Sequence, residues 1–143
     1  MGEIRHFTDL IVWRKAHRLF LDILEDTNSY PAGRGADAVA TQILDSSSSI
    51  SANISEGFNR SQRRFVNCLD IALGEANETE NWLYKVRDAE FLPNETALAR
   101  LKAVIEIEKM LAALKRKISN NPQALREPSP HYRIWTPPTP EKP

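Results

Sequence analysis

The sequence predicts an all-α protein: an antiparallel up-down four-helix bundle followed by a proline-rich C-terminal tail. Only 5 of the 143 residues are glycine, and long stretches without Gly or Pro favour helices over a β-fold, which needs many turns. Apolar residues recur at spacings of three and four through four segments. Seven of the nine prolines lie at or after Pro122. We therefore expect a helical domain over residues 1–120 and an extended or disordered tail over residues 121–143.

The first two helices are predicted from their ends and their apolar faces. The first begins with Thr8 as N-cap and ends near Ser29, before Tyr30-Pro31. Its apolar face consists of Leu10, Trp13, Ala16, Phe20, Ile23 and Leu24. The second covers residues 36–58 and includes four consecutive serines at 46–49. A flexible serine-rich loop is the alternative there, but we favour a helix because the apolar register continues across the serines.

The third segment has the clearest pattern, with Ser61 as N-cap. Seven residues alternate spacings of four and three, as in the seam of a left-handed bundle. They are Phe65, Leu69, Ala72, Ala76, Thr79, Leu83 and Val86. The fourth helix is predicted to be capped by Asn94 and to end near Ser119. Four long helices joined by short loops give an up-down bundle.

Charge and composition narrow the class of protein. The formal net charge is zero. Residues 1–120 hold 16 Lys and Arg against 17 Asp and Glu, and the tail holds 3 against 2. A dedicated nucleic-acid binder usually carries a basic excess, which neither part has. No signal region or membrane-spanning run is present, so we expect a cytoplasmic location.

We expect no enzymatic activity, no cofactor and no metal. A di-metal site in a four-helix bundle needs Glu-x-x-His pairs, and none of His6, His17 and His131 follows a glutamate at that spacing. Cys68 is the only cysteine, has no motif marking a base partner and is expected to be buried. The sequence contains no glycine-rich phosphate loop.

The segment from Ser51 to Arg60 holds the most specific local pattern. Asn53, Glu56 and Arg60 lie three and four residues apart and would share one face if the helix continued that far, with an ion pair between Glu56 and Arg60. Gly57 fits a position that needs a positive φ or a close backbone approach. One interpretation is a ligand or nucleic-acid site. We favour a structural corner or subunit joint built by Asn53, Glu56 and Gly57.

Two basic clusters are candidate phosphate contacts, and each is also explained as a solvated helix face. They are Arg60, Arg63 and Arg64, and Arg14, Lys15 and Arg18. A third cluster covers residues 115–117. Repeated around a ring of subunits, a modest patch would become a large basic surface.

In the tail, Tyr132, Arg133 and Trp135 lie between prolines. They form a candidate partner-binding motif that docks on a partner or a neighbouring subunit, or a segment that folds back on its own bundle.

Three stretches resemble a bacterial four-helix bundle family first met as proteins encoded in 23S rRNA intervening sequences. Phe7-Thr-Asp-Leu10 with Val12-Trp13-Arg-Lys-Ala16 resembles the start of that family. Gln42, Ser49-Ile-Ser-Ala-Asn-Ile-Ser-Glu-Gly-Phe58 and Arg60 resemble its S-I-x-x-N-I-A-E-G-x-x-R signature, with Ser55 in place of the usual alanine. Phe65, Leu69, Ile71-Ala72 and Gly74-Glu75 resemble its third-helix pattern. The resemblance covers residues 5–120.

The family is similar in fold to the accessory variability determinants of diversity-generating retroelements, which form pentameric barrels and bind a reverse transcriptase and nucleic acid through a basic surface. The resemblance thus implies a homopentamer that binds RNA or DNA, or an enzyme acting on them. The near-neutral body of this chain lacks the strong positive charge of those accessory proteins. A second hypothesis is therefore a self-assembling scaffold that recruits a protein partner, engaged through the tail.

Overall fold

A computed structural model, which describes residues 3–121 and 134–139, confirms the predicted helical bundle. A short 3-10 turn, Phe7–Asp9, precedes four α-helices. They are α1 (Ile11–Thr27), α2 (Arg34–Gly57), α3 (Gln62–Asp88) and α4 (Asn94–Asn120). No helix in the described ranges is both long and apolar enough to cross a membrane.

The helices pack in an antiparallel square in which each contacts its two neighbours, α1 with α2 and α4, and α3 with α2 and α4. The connections alternate between the two ends of the bundle. One end, called the corner end below, therefore gathers the 3-10 turn, the α2–α3 connection at residues 57–62 and the last turn of α4. Gln62 links the α2–α3 connection to the last turn of α4, because its side-chain amide donates to the carbonyls of Ile118 and Ser119 at 3.0 Å each.

The core is formed by one apolar stripe from each helix, and the buried residues of α2 and α3 include several small side chains. Ser46 and Ser47 on α2 are buried, as are Ala72 and Ala76 on α3. The Thr79 hydroxyl donates to the Ser46 hydroxyl at 2.9 Å. The serine run is therefore helical, as predicted, and its hydroxyls bond to carbonyls one turn back, which leaves them satisfied inside the bundle.

The seven-residue seam predicted for α3 is confirmed, since all seven side chains are buried. The apolar face predicted for α1 is rotated from the observed one. Leu24 is 44% exposed, while Val12 and Leu19, which the prediction left out, are buried. The apolar residues of α1 cover more than half of its circumference, so periodicity does not fix which of them point inward.

The predicted N-caps have different outcomes. Ser61 caps α3 as expected, accepting a hydrogen bond from the Arg64 amide. The prediction for Thr8 is wrong: Thr8 is buried inside the 3-10 turn, and His6 and Asp9 form the capping box there. Asn94 is the first residue of α4 and not its cap, because Pro93 occupies the cap position. A proline supplies the extended geometry required there without a side-chain hydrogen bond.

A buried ion pair joins α1 to α4 at the opposite end of the bundle. Arg100 donates to both carboxylate oxygens of Asp26, at 2.6 Å from Nε and 3.0 Å from Nη2. The Asp26 side chain is only 10% exposed. This two-point contact fixes the relative position of α1 and α4.

Candidate nucleic-acid interface

The α2–α3 corner is a tight reversal over four residues. The Phe58 amide bonds to the Ile54 carbonyl and the Arg60 amide to the Gly57 carbonyl, each at 3.2 Å. Asn59 takes the left-handed conformation with φ 61°, which asparagine tolerates better than most residues. The turn then passes directly into the Ser61 cap of α3. Its backbone is thereby held by hydrogen bonds on both sides.

Gly57 lies where the α2 backbone approaches side chains of α3 closely. A Cβ at this position would lie 2.6 Å from the Cys68 Cβ and 2.9 Å from the Phe65 Cδ2. Its φ is not positive, since Gly33 is the positive-φ glycine of the described chain. The close approach of α2 and α3 therefore explains why a glycine stands at position 57. A requirement for a positive φ does not explain it.

Three phenylalanine rings lie beneath the corner. Phe58 makes edge contacts with Phe65 at 6.2 Å and with Phe7 at 6.5 Å between ring centroids. Phe58 and Phe65 are buried. Such edge-to-face pairs stabilise a fixed ring arrangement beyond the area they bury. The corner is thus a rigid platform built on the N-terminal turn and α3 together.

The structure separates the three polar residues singled out in the corner sequence. Asn53 is inside α2, where its side-chain amide donates to the Ser49 carbonyl at 2.7 Å, one turn earlier. Because α2 ends at Gly57, Arg60 does not share a helical face with Asn53 and Glu56. The expected Glu56–Arg60 ion pair does not occur among the described ion pairs. Glu56 and Arg60 are both exposed.

The first basic cluster lies on this platform. Arg60, Arg63 and Arg64 are exposed, and none of them forms an ion pair with a carboxylate within residues 3–121 and 134–139. Arg63 and Arg64 belong to the first turn of α3 and Arg60 lies just before its N-cap, where the helix dipole is also positive. The corner therefore presents three exposed arginines without a carboxylate partner in the described chain, beside the single exposed carboxylate of Glu56.

The end of α4 adds to this charge. Its last turns lie beside the start of α3 through the Gln62 bonds. Lys115 is paired with Asp70 at 2.6 Å, whereas Arg116 and Lys117 are exposed and make no ion pair in the described part of the chain. The corner end thus concentrates cations that the zero net charge of the whole sequence conceals.

The second basic cluster is different, because each of its cations has a carboxylate partner. Arg14 lies 3.8 Å from Asp9, Lys15 lies 2.9 Å from Glu106, and Arg18 lies 3.0 Å from Asp22. Arg14 also donates to the Thr8 carbonyl. This part of α1 is electrostatically balanced and is a weaker candidate for phosphate contacts.

Of the tail motif, Tyr132 and Arg133 lie outside the described residues, and Trp135 lies inside them. Residues 134–139 have no regular secondary structure. The Trp135 ring packs edge-on against Trp13 and His17 of α1, with centroid distances of 5.4 and 5.7 Å. The Arg14 guanidinium lies 5.6 Å from the same ring. The structure thus places this tryptophan on the bundle of its own chain.

A pair of carboxyl groups lies between α3 and α4, away from the corner end. Burial, a hydrogen bond with Glu80 and the charge of Glu80 raise the pKa of the Glu108 carboxyl to about 7. The Tyr84 hydroxyl donates to Glu80 at 2.8 Å. Within the described ranges, no group of three or more His, Cys, Asp or Glu side chains is arranged to hold a metal ion. This pair affects the pH dependence of stability and offers no metal site.

Sequence reasoning missed the phenylalanine platform and the Trp13–His17 stack. The stacked rings lie 4.9 Å apart with an interplanar angle of 10°, and their spacing of four residues on a helix is a signal that identifies such a pair. Phe7 carries no such signal, because its contact with Phe58 joins segments about fifty residues apart in sequence.

Comparison with known proteins identifies the family. The model of the 23S rRNA-intervening sequence protein family matches residues 8–113. A solved structure of a protein with unknown function from the S23 ribosomal protein family of Bacteroides thetaiotaomicron VPI-5482 is similar, with 32% sequence identity and a TM-score of 0.69. The match covers 74% of this chain and 99% of that one. No curated protein matches the sequence. The chain belongs to the 23S rRNA-intervening sequence protein family.

Proposed function

We propose that this protein is a non-enzymatic, self-assembling accessory protein that binds nucleic acid, or a nucleic-acid enzyme such as a reverse transcriptase, through the corner end of its bundle. The contacting residues are Arg60, Arg63 and Arg64, supported by Arg116 and Lys117. Of the two basic clusters that the sequence offers as phosphate contacts, only the corner cluster is kept. The other cluster, Arg14, Lys15 and Arg18, is neutralised by neighbouring carboxylates.

The observation that supports this proposal is the unpaired state of the corner arginines within the described chain. An exposed guanidinium without a carboxylate neighbour is free to bind phosphate in a two-point contact. The backbone that carries the three corner arginines loses little conformational freedom on binding. It is already held by hydrogen bonds and by the phenylalanine platform. Local charge, and not total charge, determines the attraction.

Self-assembly, as a homopentamer by resemblance to the retroelement accessory proteins, would multiply this surface. Large apolar side chains on the helices stay partly exposed in a single chain: Ile11, Leu24, Ile71, Tyr84 and Leu98 are between 39% and 52% exposed. Burial of such side chains between copies is a favourable contribution to association. Five copies of one modest basic patch would bind a long polyanion with avidity.

The direct test is nucleic-acid binding by three forms of the full chain at low salt. We compare the wild type, the triple variant R60A/R63A/R64A and the matched triple variant R14A/K15A/R18A, using fluorescence anisotropy with a short labelled RNA and a duplex DNA. The corner variant is expected to lose about tenfold or more in affinity, because each phosphate contact contributes to binding through counterion release. The α1 variant removes the same charge and is expected to bind nearly as the wild type does.

Two results would contradict the proposal. If the wild type binds neither RNA nor DNA at low salt, the nucleic-acid role is wrong. If both triple variants lose affinity equally, binding depends on total charge and the corner is not the site. Far-UV circular dichroism of all three proteins separates loss of binding from loss of fold. Sedimentation of the wild type tests the assembly, which the proposal places at five times the chain mass of 16.2 kDa.

A second candidate function is a scaffold that recruits a protein partner. It is favoured by the zero net charge and by the partly exposed apolar side chains of Ile11, Leu24, Ile71, Tyr84 and Leu98. Removal of residues 121–143 followed by capture of a reverse transcriptase supplied as purified protein tests the part played by the tail. Unchanged capture by the truncated chain would remove the tail from this account.

A further inference from the structure

We propose that the surface between α1 and α4 is a recognition site for a tryptophan-containing, proline-rich segment, and that the occupant is the chain's own tail, anchored by Trp135. The site goes beyond the nucleic-acid function proposed above and does not depend on it. It lies on a different helix pair from the corner arginines.

The anchor of this interaction is a single side chain. Trp135 is half-buried, while its neighbours on both sides are exposed, Ile134 at 89%. A short segment whose one large aromatic residue is inserted and whose other side chains face solvent is typical of linear-motif binding. The prolines that follow, Pro137 and Pro138, restrict the backbone to an extended form and lower the entropy lost on docking.

The receiving surface is chemically matched to an indole. Trp13 and His17 are stacked one turn apart on α1, and both rings lie nearly perpendicular to the Trp135 ring, at 86° and 85°. Aromatic quadrupoles favour this edge-to-face arrangement. The Arg14 guanidinium adds a cation–π contact with the same ring. Three independent contacts therefore converge on one side chain.

The surface is also larger than its occupant. A cleft of about 540 Å³ between α1 and α4 is lined by Trp135, Pro137 and Pro138 on the tail side and by apolar residues such as Leu19, Ala103 and Ile107 on the bundle side. Ile11, at its edge, remains 51% exposed. The tail covers this cleft without filling it, so a segment of the same chemistry from elsewhere can compete for the site.

Competition is the basis of the first test. The probe is a labelled peptide with the sequence of residues 133–139, and the control peptide has alanine in place of its tryptophan. Tethering gives the tail a high effective concentration, so we expect weak peptide binding to the wild type. If the tail occupies the site nine times in ten, the full-length variant W135A binds the probe about tenfold more tightly. In the double variant W13A/W135A, binding of the probe is lost.

Equal binding to the wild type and to W135A would overturn the proposal, because it would mean that the tail does not occupy the site. Binding of the control peptide as tightly as the probe would do the same, since recognition would then not depend on the indole. A lower sedimentation mass for W135A than for the wild type would show that Trp135 reaches a second copy, and would overturn the assignment to the same chain.

A second measurement does not depend on the affinity of the free peptide. With 5-fluorotryptophan, the three tryptophans of the full chain give separate fluorine resonances, assigned by single substitutions. We expect H17A to move the Trp135 resonance toward that of the free peptide. The matched variant W82F, on α3, is expected to leave it in place. A Trp135 resonance that coincides with the free peptide in the wild type would overturn the proposal.

Discussion

Substitution of Gly57 by alanine tests the close approach of α2 to α3 at the corner. In most helices this change stabilises the fold by up to about 1 kcal/mol, because glycine loses more conformational entropy than alanine on folding. Here the added Cβ would lie 2.6 Å from the Cys68 Cβ and 2.9 Å from a ring carbon of Phe65. Carbon atoms prefer separations of about 3.5 to 4.0 Å, so α2 and α3 must separate by about 1 Å at the corner.

The expected cost follows from this overlap. Overpacking of a well-packed core typically costs about 1–3 kcal/mol. The gain in helix propensity is smaller at a helix end than the interior value of about 1 kcal/mol and offsets only part of this cost. We therefore expect G57A to lower the free energy of unfolding by about 1–2 kcal/mol. The shortest contact is with the Cβ of Cys68, so C68A does not relieve it, whereas C68G removes it and leaves the contact with Phe65.

Gly74 provides the matched control on α3. A Cβ there meets nothing within 4 Å, so G74A is expected to stabilise the protein by about 0.5–1 kcal/mol. The two variants thus make the same chemical change and differ in sign. Urea unfolding followed by far-UV circular dichroism at one fixed protein concentration measures both, and the fixed concentration removes the effect of assembly on apparent stability.

The reasoning is refuted if G57A is as stable as the wild type or more stable. A double-mutant cycle gives a further check, because G57A/C68G is expected to be less destabilised than the sum of G57A and C68G. Strict additivity of the two changes would show that residues 57 and 68 do not meet.

Two further predictions concern charged groups. R100A leaves the buried Asp26 carboxylate without its partner and is expected to cost about 2–4 kcal/mol. R87A breaks the solvent-exposed pair with Asp88 and is expected to leave the stability nearly unchanged. Thermal unfolding compares the two variants, and equal shifts would contradict the burial argument. Because the pKa of Glu108 is raised to about 7, the folded chain holds a proton that the unfolded chain releases near pH 4.5, so stability falls as pH rises between these values. E108Q is expected to remove this fall in stability with pH. After allowance for partial solvent screening, the variant is expected to be about 1 kcal/mol more stable than the wild type at pH 8, with little difference at pH 4. If the free energy of unfolding of E108Q depends on pH as that of the wild type does, this prediction is contradicted.

The elements that sequence reasoning predicted well are those determined by local periodicity. The heptad seam of α3 from Phe65 to Val86 is buried throughout, because a strict alternation of three and four residues has only one helical face on which to lie. The serine run of α2 was predicted to be helical for the same reason. The start of the first helix was predicted wrongly, with Thr8 as N-cap, because a histidine cap and a 3-10 turn have no distinctive sequence signal.

Sequence reasoning did not show which basic cluster lacks carboxylate partners, and the reason is a different one. Lys15 pairs with Glu106 across α1 and α4, and such a partner becomes known only when the stagger and rotation of two helices are fixed. Arg14, Lys15 and Arg18 look as cationic in sequence as Arg60, Arg63 and Arg64. Local pairs with Asp9 and Asp22, together with the tertiary pair to Glu106, neutralise the first set. The second set has no carboxylate partner in the described chain. The candidate interface is therefore a product of the fold.

The salt dependence of RNA binding tests the corner interface most directly. For a single strand, the logarithm of affinity falls with the logarithm of salt concentration by about 0.7 for each phosphate contact. We expect a clear negative slope for the wild type and the same slope for R14A/K15A/R18A. For R60A/R63A/R64A we expect a slope shallower by about 2, since three contacts per chain are lost. A wild-type affinity independent of salt, or a slope unchanged in the corner variant, would contradict the account.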